Sequence, residues 1–310
     1  MTIKILATSL SEKKGTIKKV QPFIELNEYG VKNDAHAGSW HRQVSLLGVE
    51  SISKFSEEAQ RKIVFGEFAE NITTEGFLLY EMRPFDRLVG KSIELEVTQI
   101  GKKCHGDDCV IFREVGNCVM PKEGIFARVI RGGKLSPGDE LEYVPRVFKV
   151  MIVTLSDRAS NGEYEDKSGP LLSKLTAEFF TSNRRTIDMT NEIIPDSEEK
   201  LKTLIEYSKK NNYDLFITTG GTGIGPRDIT PDVVKSYFDK ELPGIMEHIR
   251  TKYGAQIPNA LLSRGVAGVI GNNLLAFTLP GSPKAIKEYC NEIFKVLDHA
   301  YLMLYGIDGH

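Results

Sequence analysis

Tryptophan occurs once and cysteine only four times in this chain of 310 residues. Three of the four cysteines, Cys104, Cys109 and Cys118, fall close together. So sparse a set builds no disulfide framework. It fits a reducing compartment, where clustered thiols bind metal, react or simply pack. No stretch approaches the ~18 consecutive apolar residues of a membrane-spanning helix. The opening MTIKILATSLSEKKG has too short an apolar run and no small-residue cleavage pattern, so no secretory leader is expected. Neither sign of charge dominates: 40 Lys and Arg stand against 42 Asp and Glu, a formal net charge of −2. No basic block or stripe offers a nucleic-acid footprint. The expectation is a cytoplasmic protein without nucleic-acid or membrane partners, long enough for two domains.

What is present comes in two styles. The first half reads as β-rich. KSIELEVTQIG (Lys91 to Gly101) alternates apolar and polar residues in the manner of a half-buried strand. GIFARVIRGGKLSPGDELEYV (Gly124 to Val144) predicts a strand, a turn at Gly132-Gly133 and a second strand after Ser136-Pro137-Gly138-Asp139. One helix is predicted, over about Ser51 to Lys62. The second half changes period. Strands at KVMIVTLSD, at IIPD, at LFITTGG and at LLAFTLPG alternate with helices over Gly169 to Phe180, over Ser197 to Asn211, from Thr230 and from Pro283. That alternation implies βαβ units and a mostly parallel sheet covered on both faces. The junction falls near Val144-Pro145-Arg146, giving domains of residues 1–145 and 146–310.

In such a sheet, ligands sit outside the carboxyl ends of the strands. Four of those ends carry unusual residues: Ser156-Asp157, Asp196, Gly220 to Gly223, and Gly281-Ser282. Capping explains part of this. Asp196 with Glu199 forms a capping-box pattern. Ser282 before Pro283, and Thr230 before Pro231 and Asp232, read as helix starts. Asp228 is different, because an acid beside a phosphate-type glycine loop repels phosphate. A divalent cation between them resolves the conflict, since carboxylate and phosphate oxygens both suit Mg²⁺, and Asp196 is a candidate second ligand. The loop lacks the Lys-Ser/Thr of a Walker loop and does not lead straight into a helix as G-x-G-x-x-G does. The residues alone therefore reach a phosphorylated ligand with Mg²⁺, and no further.

LSDRASNGEYEDKSGPLL, IIPD, TTGGTGIGPRDITPD, ELPGIMEHIR, LLSRGVAG and TLPGSPKAIKE, in this order, resemble the MogA/MoaB family of molybdenum-cofactor biosynthesis over about Lys149 to Gly306. The resemblance implies an α/β three-layer domain that binds molybdopterin and assembles as a homotrimer or dimer of trimers. For MogA-type members it implies transfer of AMP from ATP to the terminal phosphate of molybdopterin, with Mg²⁺ and release of pyrophosphate. By position, Asp196 and Asp228 match the acids that hold Mg²⁺ and the ATP phosphates. Gly220, Gly221, Thr222 and Gly223 match the nucleotide-phosphate loop. Ser156, Asp157, Ser263, Pro280, Gly281 and Ser282 match the pterin side. The attacking phosphate is already an anion, so alignment and charge neutralisation suffice without a general base. The related metal-insertion (MoeA-type) domain has a loop closer to SGGVS, and the TTGGTG…RD form favours adenylyl transfer. The alternative is a non-catalytic protein that binds and delivers the cofactor, which would not need two acids beside the loop. Metal-insertion and other cofactor-biosynthesis proteins are the implied partners, for molybdenum or tungsten.

In the first half, KNDAHAGSWHRQVSLLG, FAENITTEGF and IGKKCHGDDC…GNCVMPKEGIFARV resemble the MOSC domain, a β-barrel-like domain related to the C-terminal part of molybdenum-cofactor sulfurases. The resemblance implies pterin-cofactor binding and a functional cysteine, with Cys104 the best positional match. Lys102, Lys103 and His105 would favour its thiolate. Within that family, His36, His41, Arg42, Asn71, Lys103 and Arg128 are candidate contacts for the cofactor and its phosphate. A structural zinc site from Cys104, His105, Cys109 and Cys118 is the competing reading, although the spacing has no paired C-x-x-C.

Overall fold

A computed structural model describes residues 1–103 and 118–307. Cys104, His105 and Cys109, and with them the functional-cysteine and zinc readings, lie outside the described residues. The chain divides into two compact units, Met1–Arg146 and Val147–His310. The strands of the first unit are β1 (Thr2–Leu10), β2 (Lys19–Gln21), β3 (Ile24–Asn27), β4 (Gly30–Val31), β5 (Val44–Gly48), β6 (Ile72–Glu75), β7 (Arg87–Gly90), β8 (Glu94–Ile100), β9 (Ile125–Arg131), β10 (Gly133–Leu135) and β11 (Glu140–Val144). One sheet runs β11-β7-β8-β9-β5-β6-β1-β2, and β1 also pairs with β11. That pairing closes the sheet into a barrel, with only the short β2 left at an edge. Strand alternation fills the interior: Ile3 and Ile5 of β1, Leu95 and Val97 of β8, and Ile125 and Ala127 of β9 are buried in one cluster. The helix Val49–Glu58 packs Ile52 and Phe55 onto Leu47, Phe68 and Phe126 outside it.

The Gly132-Gly133 pair does not make the expected turn. Here the chain leaves β9 and enters β10, which pairs with β3 in a separate three-stranded sheet. A side chain at Gly132 would meet the Leu26 carbonyl oxygen at 2.4 Å, and one at Gly133 the Ser92 carbonyl oxygen at 2.4 Å. These glycines serve close backbone approach, not positive φ.

The second unit holds β12 (Val147–Leu155), β13 (Thr186–Ile194), β14 (Leu215–Thr219), β15 (Lys240–Glu241), β16 (Ala267–Ile270) and β17 (Leu274–Leu279), in the order β13-β12-β14-β17-β16-β15. The pairs β12–β13, β12–β14 and β14–β17 are parallel, and the two pairs at the β15 edge are antiparallel. Met151, Val153, Leu155 and Phe216 pack with Leu201 and Ile205 of the helix Glu198–Lys210 and with Val233 and Val234 of the helix Thr230–Lys235. On the alternate positions, Phe148 packs its ring 5.4 Å from Phe180 of the helix Ser168–Ser182 and 5.0 Å from Tyr301 of the helix Pro283–Leu304. Continuous burial along β12 from Val150 onward, and along all of β14 and β17, follows from cover on both faces. Among the described residues no helix is long and apolar enough to cross a membrane.

The first unit also buries charge, in loops outside the strands. Lys18 forms an ion pair with Asp34, and both side chains are fully buried. Removing two charges from water costs several kcal/mol per ion, so such a pair persists only with further hydrogen bonds. Asp34 receives them from the Ser11 N–H at 3.0 Å, the His36 N–H at 3.0 Å and Asn71 Nδ2 at 3.1 Å. Burial alone would raise the Asp34 carboxyl. Hydrogen bonding from His36 and the charge and N–H of Lys18 outweigh it and hold Asp34 well below the carboxylate range. Glu70, beside Asn71, lacks that compensation. It accepts from the Gly66 N–H at 2.5 Å and the Thr73 hydroxyl at 3.1 Å on Oε1, while its buried Oε2 has no partner. Burial pushes Glu70 up to about 7.

The folded chain therefore keeps a proton on Glu70 between the ordinary glutamate value and about 7 that the unfolded chain has released. Stability should fall as pH rises through that window and level off above it. Glu70→Gln retains the carbonyl acceptor and cannot ionise. Its stability relative to the parent chain is expected to improve between about pH 5 and about pH 8, by on the order of 3 kcal/mol at full extent. Urea unfolding at the two pH values checks this, and a difference independent of pH contradicts it.

Candidate functional site

The parallel register carries the carboxyl ends of β12, β13, β14 and β17 to one edge. Thr154 aligns with Ile193 and Thr219, and Thr219 in turn with Leu279. Side-chain and main-chain bonds then tie the ends together. Gly220 N–H donates to the Leu279 carbonyl at 2.9 Å, and the Thr219 hydroxyl donates to the Pro280 carbonyl at 3.0 Å. The Ser168 hydroxyl donates to the Gly281 carbonyl at 2.6 Å. Gly220 has φ of 103°, and a side chain there would stand 2.2 Å from the Leu155 carbonyl oxygen. Only glycine meets both conditions.

The peptide groups of the loop have a consistent sense. The Gly221 carbonyl accepts from Thr230 N–H at 3.2 Å, and the Thr222 carbonyl accepts from Arg264 N–H at 2.9 Å. The Gly223 carbonyl accepts from Arg264 Nε at 2.7 Å. Three successive carbonyls are thus satisfied by the scaffold. The N–H groups of Gly221, Thr222 and Gly223 donate to no described residue. Successive free N–H groups of this kind form an anion-binding concavity.

Two carboxylates flank the loop. A side chain at Gly221 would meet Asp196 Oδ1 at 3.5 Å, and one at Gly223 would meet Asp228 Oδ2 at 2.7 Å. Asp228 Oδ2 accepts from Gly225 N–H at 2.8 Å. The Asp196 carboxylate takes no hydrogen bond from a described residue; only its N–H is engaged, by Asp157 Oδ1 at 3.1 Å. Burial, and then the Asp228 charge, raise the Asp196 carboxyl. Asp196 does not cap the following helix. Ser197 does so, accepting from Lys200 N–H at 3.4 Å. The capping-box expectation fails by one residue and leaves the Asp196 carboxylate without a structural partner. A second correction concerns the helix Thr230–Lys235: its cap position is Ile229, and Thr230 lies inside the first turn with its buried hydroxyl unpartnered. Two carboxylates with unspent lone pairs beside a row of N–H donors fit a Mg²⁺ ion completed by phosphate and water oxygens.

The residues expected on the pterin side separate into two groups. Ser263, Pro280 and Ser282 line one cavity of about 290 Å³, walled by Tyr253, Ile257 and Tyr289. In it the Tyr289 hydroxyl donates to Ser263 Oγ at 3.0 Å. Ser282 also caps the helix Pro283–Leu304, accepting from Ala285 N–H at 3.2 Å. Ser156 and Asp157 are not in this lining. Ser156 caps the short helix Asp157–Ser160, accepting from Ala159 N–H at 3.2 Å. Asp157 pairs with Arg227 and so braces the acidic side of the glycine loop. Gly281 stands between the two sides, its would-be side chain 3.4 Å from Gly220 Cα. Sequence reasoning missed Arg264, which sits in the quoted LLSRGVAG, and Tyr289, a helix residue with no motif around it.

In the first unit, His36, Arg42, Asn71 and Lys102 line a cavity of about 110 Å³ with Trp40, Phe68 and Phe126. Arg42 stacks 4.9 Å from the Trp40 ring, and its buried Nε has no partner. Asn71 is fully committed to the scaffold: Nδ2 donates to the Ser9 carbonyl and to Asp34, and Oδ1 accepts from the Ser45 hydroxyl at 2.9 Å. Lys18 Nζ lies 3.4 Å from His36 Nδ1, so the buried ion pair backs the cavity wall. Three of the expected contacts lie outside this cavity. Arg128 is held by Glu96, Nε donating at 2.8 Å, and Lys103 is exposed; neither lines the cavity, and Lys102 takes the place given to Lys103. The His41 carbonyl accepts from the Thr98 hydroxyl at 2.6 Å, and His41 too is outside the lining. Among the described residues no group of three or more His, Cys, Asp or Glu side chains could hold a metal.

Comparison with known proteins agrees with this division. The family described as a probable molybdopterin binding domain matches residues 151–299, and the MOSC domain matches residues 33–142. The molybdopterin adenylyltransferase of Helicobacter pylori (strain J99) is 36% identical over 162 residues, which are 52% of this chain and 90% of that protein. The one of Escherichia coli (strain K12) is 41% identical over 143 residues, 46% of this chain and 71% of that protein. The one of Pyrococcus furiosus is 37% identical over 168 residues, 50% of this chain and 93% of that protein. Through its C-terminal half the chain belongs to the molybdopterin adenylyltransferase family, and it carries a MOSC domain on the same polypeptide.

Proposed function

We propose that residues 146–310 form a three-layer α/β domain that adenylylates molybdopterin with Mg-ATP, and that residues 1–145 form a MOSC domain that binds the cofactor or handles its sulfur. The observation that carries the first part is the Asp196 carboxylate, which faces Asp228 across the glycine loop with no hydrogen bond of its own. Two like charges held this close need a cation, and a carrier of the finished cofactor would not. Asp196 and Asp228 would hold Mg²⁺, which when bound neutralises the phosphates and draws charge from the bond that breaks. The free N–H groups of Gly221, Thr222 and Gly223 orient the ATP phosphates. Ser263, Pro280 and Ser282 hold the pterin in the neighbouring cavity, with Gly281 packed against Gly220 so that its terminal phosphate reaches the α-phosphorus. One P–O bond forms there as the bond to pyrophosphate breaks. The nucleophile is anionic at neutral pH, so the chain supplies alignment and charge, not a base.

His36, Arg42 and Lys102 would bind the phosphate of the cofactor in the MOSC cavity, with Cys104 as the reacting thiol. The protein would act in the cytoplasm as a homotrimer or dimer of trimers, passing product to metal-insertion proteins for molybdenum or tungsten. Tethering the two domains raises the local concentration of the product of one at the other.

Asp228→Asn removes charge while keeping an acceptor toward Gly225. It is expected to lower formation of AMP-molybdopterin and pyrophosphate on the order of 10²–10³-fold, with molybdopterin binding, read by fluorescence, unchanged. Turnover near the parent level would remove the cation site from the account. Cys104→Ser is expected to leave the adenylylation rate unaltered and to abolish sulfur transfer or alter cofactor release. A mutant that adenylylates poorly would show that the two domains do not act separately.

A further inference from the structure

Arg264 spends its donors on the glycine loop and its surroundings. Its main-chain N–H fixes the Thr222 carbonyl at 2.9 Å, and its Nε fixes the Gly223 carbonyl at 2.7 Å. Its Nη2 donates to the Asp228 carbonyl, and its Nη1 forks onto both oxygens of Asp232 at 2.9 and 2.8 Å. In a trans peptide the C=O and the following N–H point in opposite directions within one plane. Holding the Thr222 carbonyl inward therefore aims the Gly223 N–H outward, and holding the Gly223 carbonyl does the same for Ile224. The guanidinium contact at Asp228 sets where that carboxylate starts. Asp232, expected only to favour a helix N-terminus, anchors the guanidinium at its far end. One residue away, Ser263 lines the 290 Å³ cavity and is held by the Tyr289 hydroxyl. Arg250 Nη1 braces the same segment at the Gly265 carbonyl, 3.0 Å away.

We propose that Arg264 is the positioning residue of this site: its main-chain N–H sets the direction of the Gly223 N–H, its guanidinium sets that of the Ile224 N–H and the start of Asp228, and its attachment to Ser263 aligns the nucleotide loop with the pterin cavity. The inference rests on the adenylylation reading above and adds a residue whose three guanidinium nitrogens each donate to a protein acceptor. A planar fork is required, because one residue must reach the Gly223 carbonyl, the Asp228 carbonyl and the Asp232 carboxylate together. Lysine supplies a point charge and cannot make these contacts at once.

The test compares the full chain with its Arg264→Ala, Arg264→Lys and Asp232→Asn variants. It reads pyrophosphate release with molybdopterin and Mg-ATP, Mg-ATP affinity by calorimetry, and melting temperature. Arg264→Ala is expected to lower kcat ~100-fold, the scale of an ångström-sized misplacement, and to weaken Mg-ATP binding, with the KM for molybdopterin little changed. Arg264→Lys should not rescue kcat, and Asp232→Asn should fall between it and the parent. A purely structural role predicts that loss of rate tracks loss of melting temperature and that lysine restores it; that result overturns the proposal, as does parent-level kcat and affinity in folded Arg264→Ala. If the parent chain binds Mg-ATP without turnover, the adenylylation reading fails, and weaker binding by Arg264→Ala still supports the positioning role while equal binding refutes it. A parent chain that binds no nucleotide refutes both.

Discussion

Two carboxylates stand on either side of a loop that has almost no side chains. Asp196 and Asp228 repel one another, and neither is neutralised by a basic residue of its own: Arg227 is engaged by Asp157, and the Arg264 fork by Asp232 and main-chain carbonyls. The loop between them turns its carbonyls into the scaffold and leaves its N–H groups facing out. Acidic side chains and amide donors in one small space suit a ligand carrying both signs, such as a cation with a phosphate chain. The rest of the second unit maintains this arrangement. Parallel register brings four strand ends to one edge, and continuous apolar burial keeps that register fixed.

The first unit solves a different problem with the same economy. Its loops bury Lys18 and Asp34 as a pair, with four donors on one carboxylate. Their location behind His36 gives the adjoining cavity a rigid wall. Glu70, close by and only half satisfied, marks where that compensation runs out. The cavity itself offers His36, Arg42 and Lys102 against aromatic surface, a composition suited to an anionic group on a flat ring system.

Much of this was legible in the residues. The alternation of strands and helices, the four strand ends and the separate status of Asp228 all follow from short patterns with local physical causes. What was not legible has a common reason. Asp196 and Ser197 are both good caps, and only the observed path of the chain chooses Ser197. Gly132 and Gly133 look like a turn, but they are required by backbone from Leu26 and Ser92, far away in sequence. Arg264 is 41 residues from the Gly223 carbonyl it holds, and Lys18 looks like any surface lysine until the fold brings Asp34 and His36 against it. Arg128, Lys103 and His41, expected as contacts for the cofactor phosphate, lie outside the cavity lining because a basic side chain says nothing about the direction in which the chain presents it.

The loop and its two acids are proposed as a site of adenylyl transfer. The most direct measurement is pyrophosphate release by the full chain with Mg-ATP, with and without molybdopterin. The account predicts release that depends on molybdopterin and on the divalent cation, one pyrophosphate for each AMP-molybdopterin formed. Tight molybdopterin binding with no release under any divalent cation would contradict it.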